Sequence, residues 1–263
     1  LDSFYKTYAW SVALEKNKIV LSSQGFLGPV SFCAEPYNNP NFCLASENFQ
    51  ATGEILEQNQ TLSFTPTGLS GRGFVYWICV QDECQKILWP EIPKKQDDLL
   101  LTEIMWAGST SNFGESTTGD DWFEIKNTTN KILTLKGMLF RRDDKYWPIP
   151  VDRILSPQSY FVFANTKNKV FSQNLIDNLY SDSDISLPAS GNYCLTIENE
   201  NKVILDQVCD IPLIGSYLRG QYSYSRVRNT AKEWAQSSYP FEDFEDYHEK
   251  TFGTPGYAKE DEF

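Results

Sequence analysis

Short runs of β-branched and aromatic residues recur along this chain, and nothing in it sustains a helical period with caps. Lys18–Ser22, Val30–Cys33, Thr61–Thr65 and Gly73–Val80 are such runs. Between them stand clusters rich in Gly, Pro and Asn, such as Tyr37-Asn38-Asn39-Pro40-Asn41 and Pro66–Gly73. Strands at roughly ten-residue spacing, separated by turn signals, predict an all-β sandwich architecture. Only Lys169–Leu179 approaches helical patterning, and it reads as a short surface helix or turn within a loop.

With 263 residues, the chain is long enough for two domains that each bury a core. Residues 89–97 run Trp-Pro-Glu-Ile-Pro-Lys-Lys-Gln-Asp. Their two prolines remove backbone donors and stiffen the chain, so the segment reads as a linker. Residues 1–88 then form a small β-sandwich of no recognised family, and residues 98–263 a second sandwich. Tyr76 and Cys79 are spaced by three where a tyrosine corner needs two, which leaves immunoglobulin-like topology open in the first domain.

The second domain carries an ordered series of motifs. It starts with Leu99–Trp106 (Leu-Leu-Thr-Glu-Ile-Met-Trp after a first Leu) and continues with Asp120–Asn127 and Leu133–Phe140. Leu155–Phe163, Leu187–Ile197, Ser225-Arg226, Trp234 and Gly253-Thr254-Pro255-Gly256 follow in turn. In this order the segment resembles a lamin-tail domain, over about residues 98–257. The resemblance implies an immunoglobulin-like β-sandwich, with Glu103 and Glu124 on strands where each caps backbone donors or meets an arginine such as Arg226. It also implies a structural, adhesive or scaffolding role, since bacterial relatives serve as accessory modules on exported proteins. It implies no activity, because function lives in sites grafted onto folds.

Charge narrows the partners. The formal net charge is −12; residues 1–97 carry 7 basic and 10 acidic side chains, residues 98–263 carry 16 and 25. Phosphate backbones need a basic footprint, so nucleic acid is not an expected partner, although Arg141-Arg142 and Arg219–Arg228 gather some positive charge. No apolar run approaches the ~20 residues of a membrane-spanning helix. No basic-then-apolar leader stands at Leu1, so either the protein is made without one or a signal segment or lipid anchor would lie upstream of it.

Six cysteines occur as Cys33 and Cys43, Cys79 and Cys84, Cys194 and Cys209. Their even number and short spacings predict local disulfides and an oxidising compartment. A Cys33–Cys79 bridge spanning the first sandwich is an alternative, as are free buried thiols. Cys194 and Cys209 would lie across a hairpin turning near Glu200, if a bulge adjusts the register.

His248 is the single histidine, which excludes the usual zinc constellations, and no G-x-S-x-G elbow accompanies it. No catalytic, metal-ligating or cofactor-binding residue is therefore assigned. Asp120-Asp121, Asp143-Asp144 and Asp182-Ser183-Asp184 have the hard oxygens that Ca²⁺ takes, but solvated loops explain them as well. Trp10 and Trp147 are candidates for a sugar-stacking platform, and Asn59 and Asn127 head glycosylation sequons. The expected protein is a non-catalytic, exported or surface-tethered module, extracellular, periplasmic or on the cell surface, that binds an unidentified protein or surface ligand. The alternatives are a small extracellular hydrolase with an accessory lamin-tail module and a calcium-dependent binding module.

Overall fold

The computed structural model describes residues 10–15, 18–24, 28–35, 43, 49–57, 59–64, 74–80, 83–117, 119–149, 153–168, 176–188, 191–211, 216–218, 222–228, 233–240, 246 and 250–256. These residues contain no α-helix, and the chain is all-β. Among the described residues no helix is long and apolar enough to cross a membrane. The chain divides into two compact units, Leu1–Glu91 with Asn130–Leu133, and Ile92–Thr129 with Thr134–Phe263.

Among the described residues, seven strands build the first unit. They are β1 (Trp10–Glu15), β2 (Lys18–Ser23), β3 (Gly28–Glu35), β4 (Gln50–Leu56), β5 (Thr61–Phe64), β6 (Phe74–Val80) and β7 (Glu83–Trp89). They form two antiparallel sheets, ordered β1-β2-β5 and β4-β3-β6-β7. Alternating side chains from each sheet meet in one core that includes Trp10, Ile19 and Leu21 from the first and Phe32, Tyr76 and Ile78 from the second. Period-two patterning is what places them on a common face. Trp10 is therefore a core residue, 4% exposed, and no stacking platform.

The second unit begins with β8 (Leu99–Met105), β9 (Ser109–Thr110), β10 (Ser116–Thr117) and β11 (Trp122–Asn127). After β12 (Leu133–Thr134) come β13 (Leu139–Arg142), β14 (Lys145–Pro148), β15 (Ile154–Leu155), β16 (Tyr160–Asn165) and β17 (Asn178–Tyr180). The last strands are β18 (Cys194–Glu198), β19 (Ile204–Cys209), β20 (Ser216–Leu218), β21 (Tyr222–Tyr224), β22 (Arg226–Arg228), β23 (Trp234–Gln236) and β24 (Thr251–Phe252). Two main sheets result, β17-β16-β11-β8-β22-β23 and β14-β13-β18-β19. Leu179 thus stands in a strand, parallel to β16, where a short surface helix or a turn within a loop was expected; residues 169–175 of that stretch lie outside the described residues. The expected linker is hydrogen bonded within the second unit from its middle onward. Asn199 Nδ2 donates to Pro93 O at 3.0 Å, and Asp97 N to Leu205 O at 2.7 Å.

Aromatic rings fill the space between the two sheets. Phe123 on β11 meets Phe140 on β13 edge to face at 4.7 Å and stacks on Phe163 of β16 at 5.0 Å. Trp147 on β14 is stacked on Phe140 at 5.8 Å, so it too belongs to the core and offers no platform. Leu101 and Ile104 both face inward although they are three residues apart. A bulge opposite Glu124 and Ile125 absorbs Thr102, which restores the alternation that a regular strand would lose.

The opposite face of β8 and β11 carries Trp122, Glu103 and Glu124, each 2% exposed. The two glutamates are directly paired across the strands. Thr254 N donates to Glu103 Oε1 at 2.9 Å, Gly256 N donates to Glu124 Oε2 at 2.5 Å, and Ser225 Oγ also donates to Glu103. Both carboxylates cap backbone donors, as expected. Arg226 takes a different partner, donating from Nη1 to Cys209 O at 3.0 Å. Gly253 makes the close approach possible, because a Cβ there would lie 2.9 Å from Glu103 Oε1 and 3.1 Å from Trp122 Cζ2.

All six cysteines are joined in the local pairs, and the bridge spanning the first sandwich does not form. Cys79–Cys84 and Cys194–Cys209 each sit directly opposite one another in a hairpin, with Cα separations of 4.0 and 3.9 Å. A bulge between Ile197 and Glu198 sets the register of the second. Asn127 is fully buried and its Nδ2 donates to Leu155 O at 3.2 Å and Ser156 O at 2.9 Å, so that sequon cannot receive a glycan in the folded protein.

Two outcomes follow. Replacing both Cys194 and Cys209 by Ala opens a 15-residue loop and is expected to cost about 3 kcal/mol in urea unfolding; an unchanged midpoint would show that the ladder alone carries the hairpin. Gly253→Ala is expected to lower stability by ~1–3 kcal/mol through overpacking, and a variant as stable as wild type would mean that the Gly253–Gly256 turn can lift away at no cost.

Candidate functional site

One end of the second unit's sandwich gathers polar side chains instead of apolar ones. Strand registers explain the convergence. Trp122 pairs with Ala164 and Met105, Arg226 with Ile104, and Asn165 with Tyr180, which aligns Asp121, Asn165, Tyr180 and Arg226 along one rim. On the other sheet Arg142 pairs with Leu195 and Cys194 with Cys209, bringing Arg142 and Tyr193 to the corresponding rim. The Arg226–Cys209 hydrogen bond joins the two rims.

The carboxylates of the acidic half are satisfied by the protein's own donors, while the Tyr180 hydroxyl is buried without a hydrogen-bond partner among the described residues. Asn165 Nδ2 donates to Asp182 Oδ1 at 2.6 Å and reaches Asp121 Oδ2 at 3.4 Å. Lys167 Nζ pairs with Asp182 Oδ2 at 2.5 Å, and this hydrogen bond holds Asp182 below the usual carboxylate range. Burial acts the other way on Asp121, pushing it up to about 7 despite hydrogen bonds from the backbone and Asn165. Burial likewise raises the Tyr180 hydroxyl. Asp184 Oδ2 accepts from Ser181 N at 2.9 Å and Ser181 Oγ at 2.7 Å, and Asp120 accepts from Ser109 Oγ.

The structure thus brings Asp121 and Asp182 together from two of the acidic clusters singled out in the sequence. Among the described residues no group of three His, Cys, Asp or Glu side chains is placed to hold a metal ion. Asp143 and Asp144 form the exposed turn between β13 and β14, with Asp143 at a φ of 52°, a conformation that two-residue hairpins demand. His248 lies outside the described residues.

The basic half is arranged differently. Arg142 Nη1 donates to Ser186 O at 2.6 Å, while its guanidinium stands 5.8 Å from the Tyr193 ring centre. Arg226 lies over Trp234 at 4.5 Å, and burial pushes its pKa down to about 10. Arg228, also over Trp234 at 5.5 Å, forms a buried pair with Asp206 at 2.5 Å; burial raises Asp206 and Arg228 opposes it. Arg141 Nε pairs with Glu198 Oε1 at 2.5 Å. Arg142 Nε, Arg226 Nε and the Tyr193 hydroxyl are buried without a hydrogen-bond partner among the described residues. No local motif announces Asn165, Tyr180 or Tyr193, because strand register alone brings them to this rim.

No protein-family model matches the chain, and no curated protein matches it. Among solved structures, a DUF4876 family protein from Bacteroides thetaiotaomicron aligns with 88% of this chain at 11% sequence identity and a TM-score of 0.29. The alignment covers 66% of that protein, so this chain spans just under two thirds of its length. A likeness this weak carries no argument about fold or function.

The elevated Asp121 makes a pH-dependent prediction. Its folded pKa of about 7 exceeds its ordinary 3.8, so the folded state binds the proton more tightly. Its ionisation therefore destabilises the fold as pH rises from about 4, with the full cost reached above 7. Asp121→Asn should raise Tm at pH 8.5 and change it much less at pH 5. An equal difference at both pH values would show that Asp121 ionises freely.

Proposed function

We propose that this protein is a non-catalytic, exported or surface-tethered binding or scaffolding module, and that its second unit is a lamin-tail-like, immunoglobulin-type sandwich. The observation that carries this reading is the use made of the ionisable side chains. Glu103 and Glu124 hold the Gly253–Gly256 turn, Asp206 pairs with Arg228, and Glu198 with Arg141. These groups stabilise the sandwich where a hydrolase would align two of them across a cleft. Three disulfides fit folding in an oxidising compartment, which supports an extracellular, periplasmic or cell-surface location. Two of the arginines in the basic runs are neutralised internally, Arg141 by Glu198 and Arg228 by Asp206. Together with the net charge of −12, this disfavours a phosphate backbone as partner.

The test uses the full, oxidised chain. It should turn over none of a panel of chromogenic esters, glycosides and phosphates, and 150 mM salt should abolish retention on random duplex DNA. Its Tm should be the same with excess Ca²⁺ and with chelator. Turnover that co-purifies with the chain would overturn the reading in favour of the hydrolase, and a calcium-dependent rise in Tm would favour a calcium-dependent module.

A further inference from the structure

We propose that Arg142, Tyr193 and Arg226 form a binding site for an oxyanion of carboxylate or phosphate chemistry at the polar rim of the second unit. The proposal rests on the binding-module reading and gives it a ligand class. Three donors from three different elements lie at this rim: β13 supplies Arg142, the segment entering β18 supplies Tyr193, and β22 supplies Arg226, with both arginines acting on Tyr193 through their charge. Arg226 is tied to Cys209 O at 3.0 Å, and Cys209 is bonded to Cys194, the neighbour of Tyr193. Arg142 stands against the Tyr193 ring. Arg226 is 6% exposed and Tyr193 5% exposed.

Each of the three keeps one buried donor without a hydrogen-bond partner among the described residues. A buried donor left unmade loses its hydration with no return. Elsewhere in the unit the arginines avoid that loss, Arg141 with Glu198 and Arg228 with Asp206. The two guanidinium N–H groups can only donate and the Tyr193 hydroxyl can donate too, so an acceptor is the partner that suits all three. Two guanidinium groups beside it favour an anion, whose oxygens form the short, charge-assisted hydrogen bonds that guanidinium groups make best. Burial depresses the basicity of Arg226, the direction expected of a cation still short of a counter-charge.

The chain's own carboxylates do not fill the role. Asp143 Oδ2 lies 3.7 Å from Arg142 Nε, beyond hydrogen-bonding distance, on a side chain 57% exposed. Asp210 bears on Arg226 through its charge and is itself exposed, and Asp121 bears on Tyr193 from the other half of the rim. Access is short. Tyr193 follows the exposed Gly191 and Asn192, and a Cβ on Gly191 would meet nothing within 4 Å.

Sodium glucuronate, inorganic phosphate and uncharged glucose, each titrated into the full oxidised chain at constant ionic strength, test the site. Trp234, packed on Arg226, provides the fluorescence signal. At least one of the two anions should bind saturably and glucose should not; whichever anion binds identifies the source of the chemistry. Tyr193→Phe removes only a hydroxyl that has no partner, so it should fold with an unchanged or higher Tm while weakening anion binding about tenfold. Arg142→Gln should weaken it at least as much. Absence of saturable binding by both anions, or equal affinity in wild type and both variants, would overturn the proposal. Either result leaves the binding-module reading standing, since that reading fails on turnover and not on this titration.

Discussion

Two carboxylates facing each other on adjacent strands govern much of the second unit. Glu103 and Glu124 are direct cross-strand partners, both buried. Like charges in that position destabilise a sheet, and burying them unsatisfied would cost more still. The chain meets this demand with amide and hydroxyl donors from Ser225, Thr254 and Gly256. The outer face of the sheet is therefore closed by a segment about 150 residues further along the chain (151 between Glu103 and Thr254). The same contact buries Trp122 and explains why only glycine fits at 253.

On the inner face the controlling feature is the bulge at Thr102. It lets Leu101 and Ile104 both join Phe123 and Ile125 against the facing sheet, and it places Thr102 Oγ1 within 2.6 Å of Glu124 Oε1. One extra residue thus aligns the core and helps to hold the clamp. The hairpin disulfides act locally by comparison, since each joins residues that the ladder already sets side by side.

The rim carrying Arg142, Tyr193 and Arg226 keeps three buried donors without a hydrogen-bond partner among the described residues, and the Tyr180 hydroxyl on its acidic side is a fourth such group. Its acidic neighbours are shared out among Asn165, Lys167 and Ser181, whereas the three donors are not. That asymmetry favours a ligand acceptor there and not at the aspartate clusters, whose oxygens are already taken.

Much of the fold was legible in the residues themselves. Period-two alternation and turn clusters marked the strands, and closely spaced cysteines marked their own partners, because each signal acts between near neighbours in sequence. Trp10 and Trp147 were not legible as core residues, since a tryptophan's burial depends on which sheet covers it. Nor did sequence reveal that Asn127 is sealed under Leu155 and Ser156, or that Arg226 leaves the glutamates for Cys209 and Trp234. Local propensity and spacing by themselves determined that this chain forms strands and hairpins. Which polar groups meet was decided only by the tertiary structure, because hydrogen bonds and ion pairs depend on distances set by strand register and sheet packing.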